Sequence, residues 1–227
     1  MLIIINNSIN ANQNKCGYLV KKLLTFLKQI NIKYKVLDNS IKSTQFIINN
    51  EKNISGFIFS SSNKRINEIN LDEAITCNYV LFNINKPILG ICFGHQLIAK
   101  LNLGIIKSYD NNYRHIGIIK TSVNDFELLE DNTYNIEYDH HDFLTTIPNN
   151  YISCCYITNK NKRFIPCIKH KEKQIYGMQF HPELCIQNEN KLNVYFSFLD
   201  TCKLKYNKNK LNIQKINNIT DKLYNCN

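Results

Sequence analysis

The chain has 227 residues, of which 44% are hydrophobic, enough for one sizeable α/β domain without requiring a second. It contains no run of about 18 apolar residues, and its apolar start lacks a basic leader and a cleavage site, so we expect neither a membrane span nor a signal peptide. The net charge of +10 comes from lysines scattered through an Asn- and Ile-rich background without interleaved aromatic residues, which disfavours nucleic-acid binding.

The N-terminal half alternates strand-like and helix-like segments, the pattern of an α/β sheet. Buried strands are predicted at Leu2–Ile5, 33–37, Gly56–Phe59 and 87–91. Apolar residues at helical spacing predict helices at 18–30, 44–49, 67–77 and 94–101.

From residue 104 onward the pattern changes to short strands separated by turns. We predict strands at 105–108, 116–121, 134–138, 151–157, 164–169 and 175–179, as an antiparallel extension of the sheet and its returning strands. A closing helix at 192–199 ends a domain of residues 1–202. The Lys- and Asn-rich tail, residues 203–227, has apolar residues at roughly helical spacing, so a terminal helix and disorder are both open.

Residues 87–96 read PILGICFGHQ, a buried strand that runs into Gly-x-Cys-x-Gly and then into a helix. This is the pattern of a nucleophile elbow with Cys92 as the nucleophile. The glycines allow the sharp turn, and the helix N-terminus favours a thiolate over a thiol. A cysteine at such a turn is, taken alone, more often a small buried hydrophobic residue.

Later in the chain, residues 177–183 read GMQFHPE, which supplies a base and a carboxylate for such a nucleophile. Pro182 favours extended geometry at His181, and residues i and i+2 of an extended chain face the same way. Glu183 can therefore reach one imidazole nitrogen of His181 and leave the other for Cys92.

Together, GICFGHQ and GMQFHPE closely resemble the signatures of the class I (triad) glutamine amidotransferases, in the same order. The resemblance covers about residues 1–200. It implies the flavodoxin-like fold of that family, an α/β architecture with an open, mixed, mostly parallel sheet flanked by helices and an antiparallel extension. It also implies hydrolysis of the glutamine side-chain amide to glutamate and ammonia through a Cys92 thioester, with His181 and Glu183 completing the catalytic triad.

The resemblance further implies an oxyanion hole formed by the backbone N–H of Phe93 and by a loop after the third strand. That loop is usually Ser-Gly-Gly-Pro in the family, but residues 60–63 here read Ser-Ser-Ser-Asn. If the loop needs positive φ, we expect Ser61 or Ser62 to be strained or the loop to take another shape. Gln96 matches a family position that contacts the α-amino and α-carboxylate groups of the substrate.

Residues 139–142, Asp-His-His-Asp, resemble the substrate-lining Ser-His-Gly-Asp segment of the GMP synthetase group, which implicates Asp139 and His140 in substrate binding. Histidines beside aspartates also suggest a metal site, but ligands at zinc-like spacing are not evident and no C-x-x-C pair occurs. We therefore predict that this chain binds neither a metal nor a cofactor.

Within the family, the chain is most similar to the glutaminase subunit of GMP synthetase, which serves GMP and purine biosynthesis. It lacks the Ser-Gly-Gly-Val-Asp-Ser signature of an ATP-pyrophosphatase. The resemblance thus implies a separate synthetase subunit that uses ATP and Mg²⁺ to convert XMP to GMP. Two alternatives stay open: a stand-alone γ-glutamyl hydrolase on the same scaffold, and a non-catalytic regulatory relative with an impaired oxyanion loop.

The chain has nine cysteines, an odd number. Without a secretory signal, this number favours free thiols in a reducing compartment, so we expect a cytoplasmic protein.

Overall fold

Strands and helices alternate in the computed structural model, which describes residues 1–8, 17–110, 113–159, 162–184 and 192–219. The strands are β1 (Leu2–Ile5), β2 (Tyr34–Leu37), β3 (Gly56–Phe59), β4 (Ile88–Ile91), β5 (Ile105–Ser108), β6 (His115–Val123), β7 (Asn132–His140), β8 (Asp142–Thr146), β9 (Tyr151–Asn159), β10 (Lys162–His170) and β11 (Ile175–Met178). The α-helices are α1 (Tyr18–Gln29), α2 (Ile41–Asn50), α3 (Ile75–Asn83), α4 (Phe93–Leu101), α5 (Asn193–Thr201) and α6 (Ile213–Asn217).

The central sheet has seven strands in the order β2-β1-β3-β4-β11-β10-β9. Strands β2, β1, β3, β4 and β11 are parallel neighbours, whereas β10 pairs antiparallel with both β11 and β9. The strands therefore form a mostly parallel sheet with an antiparallel extension, as predicted. The carboxyl ends of the parallel strands share one edge, where ligands bind in open α/β sheets.

The antiparallel part of the prediction is only partly right. Strands β9 and β10 extend the central sheet, but β5 pairs with β8, and β6 pairs with β7, in separate two-stranded sheets. The prediction missed β8 because it begins only two residues after β7 ends, with no Gly, Pro or Asn between them to signal a turn.

Side-chain alternation along the buried strands builds a core on each face of the sheet. In β1, Leu2 and Ile4 pack into the core that includes residues of α1 and α5. Ile3 and Ile5 pack into the core that includes residues of α2, α3 and α4. All four side chains are fully buried, and burial of each stabilises the fold by about 1.5–3 kcal/mol.

The helix predicted at 67–77 lies further along the chain. A single 3₁₀ turn covers Leu71–Ala74, and α3 follows it at Ile75–Asn83. Asn70 sets the start, because its side chain accepts a hydrogen bond from the backbone N–H of Asp72 and Glu73 reaches back to the backbone N–H of Asn70.

The described part of the tail, residues 203–219, packs against the domain. The short helix α6 places Ile216 in the core beside α1, and Ile216 is only 1% exposed. The Asn207 backbone N–H donates to the Ile30 carbonyl, and that of Asn212 to the Gln29 side chain. Leu223 of the predicted tail helix lies outside the described residues. In the part of the chain described, no helix is both long and apolar enough to cross a membrane.

Candidate active site

Cys92 lies on a sharp turn between β4 and α4, with φ 50° and ψ −100°. This is left-handed backbone, which costs a non-glycine residue about 1–3 kcal/mol and is typical of functional sites. A Cβ on Gly94 would lie 2.2 Å from the Phe59 carbonyl oxygen, and one on Gly90 would lie 2.6 Å from that of Gly94. Both glycines of the Gly-x-Cys-x-Gly motif are therefore required by close packing.

The two sequence motifs meet because their strands are parallel neighbours in the sheet. Ile91 of β4 is in register with Met178 of β11. The Cys92 backbone N–H donates to the Met178 carbonyl at 2.7 Å, which ties the elbow to the strand that leads into His181. Residues after both strands thus reach the same edge of the sheet.

His181 and Glu183 form a buried pair, exposed by only 1% and 3%. The imidazole Nδ1 of His181 lies 2.9 Å from Glu183 Oε1, as the extended His-Pro-Glu geometry predicts. The other carboxylate oxygen, Oε2, accepts a 2.5 Å hydrogen bond from the Tyr195 hydroxyl of α5. Both carboxylate oxygens of Glu183 therefore have a hydrogen-bond partner. Because Nδ1 of His181 faces Glu183, its Nε2 is available to interact with Cys92.

The charge of His181 depends on its neighbours more than on its burial. Burial disfavours the imidazolium form, but the charges and hydrogen bonds of Cys92 and Glu183 outweigh it and hold the pKa of His181 well above its usual range. These neighbours favour the imidazolium form of His181, which can donate a proton.

A cavity of about 360 Å³ lies beside Cys92. Its walls include Ser61 and Ser62, the elbow residues Cys92 and Phe93, and the segment 139–142. Phe93 is the first residue of α4, and the first N–H groups of a helix have no partner within the helix. Its backbone N–H is thus suited to hold a developing oxyanion in this cavity.

The serine loop is not strained. Neither Ser61 nor Ser62 has positive φ. The loop is fixed by hydrogen bonds, because Ser60 Oγ accepts from the Asn7 backbone N–H at 2.9 Å and donates to the Ser61 carbonyl at 2.9 Å. The Asn7 side chain also donates to the Ser60 carbonyl at 2.9 Å. The loop therefore has a shape that does not require glycine at Ser61 or Ser62. It still lines the cavity.

Gln96 lines the cavity and belongs to a buried chain of amides. Its Nε2 donates to the Asp142 carbonyl at 2.6 Å and to Gln179 Oε1 at 3.0 Å. Gln179 Nε2 in turn lies 3.4 Å from Cys92 Sγ. Both hydrogens of the Gln96 amide nitrogen are used within the protein, so its Oε1 is the atom left for a ligand.

Asp139 lies near Cys92, but its carboxylate is already paired with Arg114. Both of its oxygens accept from the Arg114 guanidinium, at 2.5 and 2.6 Å, and this pairing raises the pKa of Arg114. The Asp139 carbonyl lies 3.8 Å from Cys92 Sγ. Arg114 and Asp139 both line the cavity.

His140 also borders the cavity, but its ring packs among aromatic side chains and is 3% exposed. The ring centroids of Phe164 and Tyr109 lie 5.3 and 5.7 Å away, and Nδ1 lies 3.0 Å from the Asp142 carbonyl. Burial, with a smaller contribution from His115, lowers the pKa of His140 to about 3. Within the described residues, no group of three or more His, Cys, Asp or Glu side chains could hold a metal ion.

The sequence did not point to Gln179 or Tyr195. Gln179 precedes His181 by two residues, and in extended chain such residues face the same way, so the alternation that places Glu183 could also have placed Gln179. Tyr195 lies on α5, and nothing local in the sequence links it to Glu183.

Residues 16–202 match the family model described as glutamine amidotransferase class-I. A GMP synthase (glutamine-hydrolyzing) subunit of Methanococcus aeolicus is 31% identical over 205 residues, which are 90% of this chain and 98% of that protein. The protein of the same name from Methanococcus vannielii is 30% identical over 209 residues, which are 91% of this chain and 100% of that protein.

Among solved structures, the crystal structure of a GMP synthase subunit from Thermoplasma acidophilum matches with a TM-score of 0.70. The two chains are 20% identical, and the match covers 89% of this chain and 93% of the other. The likeness confirms the fold that the sequence motifs imply.

Proposed function

Because the chain belongs to the class I glutamine amidotransferase family, we propose that it is a glutaminase subunit that supplies ammonia to a separate GMP synthetase subunit. The observation that carries the proposal is the buried hydrogen bond between Glu183 and His181 beside Cys92, whose charge helps to raise the pKa of His181, at the edge of a cavity. Similarity to the two methanococcal GMP synthase subunits over nearly the whole chain supports the choice of partner.

In the first half of the reaction, the Cys92 thiolate attacks the side-chain amide carbon of L-glutamine. A tetrahedral intermediate forms and its oxygen carries the negative charge. The His181 imidazolium donates its proton to the amide nitrogen, the C–N bond breaks, and ammonia leaves a γ-glutamyl thioester on Cys92. Glu183 keeps Nδ1 of His181 engaged, so Nε2 carries the transferred proton.

In the second half, His181 is neutral and accepts a proton from water, which attacks the thioester carbon. The C–S bond then breaks, glutamate is released, and the pair returns to thiolate and imidazolium. The raised pKa of His181 suits both steps, since the residue must hold a proton before attack and regain one from water afterwards.

Two groups of backbone donors serve the developing oxyanion. We assign one role to the Phe93 N–H at the start of α4, where the helix dipole adds to the stabilisation. The second donor comes from the loop of Ser61 and Ser62, whose hydrogen-bonded, unstrained backbone lines the same cavity. Preorganised donors of this kind lower the barrier because they need not reorient during the reaction.

The remote end of glutamine would meet Gln96 and the segment that carries Asp139. The free Oε1 of Gln96 can accept a hydrogen bond from the α-ammonium group of the substrate, whereas its Nε2 is committed to the protein. The Arg114–Asp139 pair contributes both signs of charge to the cavity wall, which suits a zwitterionic substrate.

In this proposal, the partner is a synthetase of the ATP-pyrophosphatase type, and it binds ATP and Mg²⁺. This chain binds no cofactor. It places the protein in the cytoplasm. The described cysteines support a reducing compartment, since all of them are free and buried: Cys77, Cys92, Cys154, Cys155, Cys167 and Cys202.

The experiment supplies glutamine labelled with ¹⁵N in the side-chain amide to this chain mixed with a GMP synthetase subunit, XMP, ATP and Mg²⁺. We expect GMP with ¹⁵N in its exocyclic amino group, and none when Cys92→Ala replaces the wild-type chain. Formation of GMP only from added ammonium salt, while labelled glutamine is still hydrolysed, would contradict the proposed partner.

A further inference from the structure

We propose that Gln179 is a further catalytic residue, which donates a side-chain hydrogen bond to the sulfur of Cys92 and stabilises the thiolate. The inference rests on the proposed function, because it assigns the sulfur as the nucleophile. Gln179 Nε2 lies 3.4 Å from Cys92 Sγ, within the range of a hydrogen bond to sulfur, and Gln179 is fully buried.

The orientation of the Gln179 amide is determined by its neighbours. The Asp142 carbonyl can only accept, so the nitrogen of Gln96 must face it, at 2.6 Å. The second hydrogen of the same nitrogen points to Gln179 at 3.0 Å, which makes Oε1 the end of Gln179 that accepts. The amide nitrogen of Gln179 is thereby turned toward the sulfur as a donor.

This chain of amides gives the sulfur a neutral donor in addition to the His181 cation. The site is buried, so a hydrogen bond to a charged group there is stronger than in water. Gln96 acts through Gln179 and is in this respect a positioning residue. The Gln96 side chain has two roles: its Oε1 faces the cavity, and its Nε2 holds Gln179 in place.

The test is the pH dependence of Cys92 alkylation by iodoacetamide, followed peptide by peptide by mass spectrometry so that only Cys92 is scored. Gln179→Met removes the donor and keeps an unbranched side chain of similar length. We expect the pH of half-maximal alkylation to rise by about one unit, which is about 1.4 kcal/mol. Gln45→Met makes the same change on the exposed surface of α2 and should leave the profile unaltered.

The acid side of the glutaminase pH profile should move by the same amount. At pH values where the thiol predominates, we expect a loss in kcat of only about threefold, because a more basic thiolate is also a better nucleophile. A residue that merely supported the fold would lower the melting temperature without moving either profile.

Gln179→Glu is a second, nearly isosteric variant that can still accept from Gln96 but puts a carboxylate oxygen beside the sulfur. We expect its alkylation midpoint to rise further than that of Gln179→Met. An unchanged midpoint in either folded variant would overturn the role of Gln179. Alkylation needs no glutamine, so it can be measured even if the wild-type chain has no glutaminase activity. Absence of that activity, together with a shifted alkylation midpoint in Gln179→Met, would refute the proposed function and leave the Gln179–Cys92 interaction intact.

Discussion

The hydrogen bond from Tyr195 to Glu183 should be measurable in both stability and catalysis. Tyr195→Phe removes one oxygen atom and keeps the ring, whose centroid lies 5.2 Å from that of Phe26. Tyr195 is 1% exposed and Glu183 is 3% exposed, so solvent does not replace the lost donor. The change therefore removes the hydrogen-bond donor to Glu183 with little change in packing.

The expected size follows from the burial and charge of Glu183. A hydrogen bond to a charged group contributes about 1.5–3 kcal/mol to the free energy of unfolding. In a domain of about 150–250 residues, 1 kcal/mol shifts the melting temperature by about 2–4 °C, so we expect a decrease of roughly 3–12 °C. Without Tyr195, the Glu183 carboxylate is held less firmly, and we expect kcat to fall by up to about tenfold.

The assay is a thermal unfolding curve by circular dichroism together with steady-state glutaminase kinetics. Tyr156→Phe is the matched control, because the same oxygen is lost from a side chain that is 51% exposed, and we expect a change of less than about 0.5 kcal/mol. A Tyr195→Phe variant with the melting temperature and kcat of wild type would refute the reasoning that Tyr195 holds the buried carboxylate.

The same geometry leads to three further predictions. Ser62→Gly should change kcat by less than about twofold, because Ser62 has no positive φ to relieve; a clear gain in glutaminase rate would show strain in the loop. Gly94→Ala should abolish glutaminase activity and destabilise the fold, since the new methyl group would lie 2.2 Å from the Phe59 carbonyl oxygen; a folded, active variant would contradict the close packing. Burial lowers the pKa of His95 to about 4 and that of His140 to about 3, so between pH 6.5 and 4 the unfolded chain binds protons that the folded chain does not. Each histidine should then lower the free energy of unfolding by up to about 1.4 kcal/mol per pH unit as the pH falls, which urea titrations of wild type and His140→Gln would measure.

The sequence predicts the part of the site that local rules determine. The close-packed glycines and the turn at Cys92 follow from the Gly-x-Cys-x-Gly pattern, and the His181–Glu183 contact follows from two-residue alternation around a proline. The parallel register that joins the two motifs is not predicted, because strand 175–179 is expected among the antiparallel extension and its returning strands, whereas β11 pairs parallel with β4.

What the sequence leaves open depends on contacts between distant segments. The Tyr195 hydroxyl reaches Glu183 only because α5 packs against the sheet, and the Ser60 loop avoids strain only because Asn7 lies beside it. His140 is in the segment predicted to bind substrate, yet strand alternation turns its ring into an aromatic core. Such outcomes are set by tertiary packing, which periodicity along one chain does not contain.

In the proposed reaction, Cys92 carries the γ-glutamyl group. The most direct measurement is glutamate release from L-glutamine by wild type, Cys92→Ala and Cys92→Ser, each with the synthetase subunit present, together with mass spectrometry of the Cys92 peptide after treatment with a glutamine-like electrophile. We expect turnover and labelling of Cys92 in wild type only, with all three proteins equally folded. Glutamate release that persists in Cys92→Ala, or an electrophile bound elsewhere in a fully inactivated wild-type chain, would contradict it.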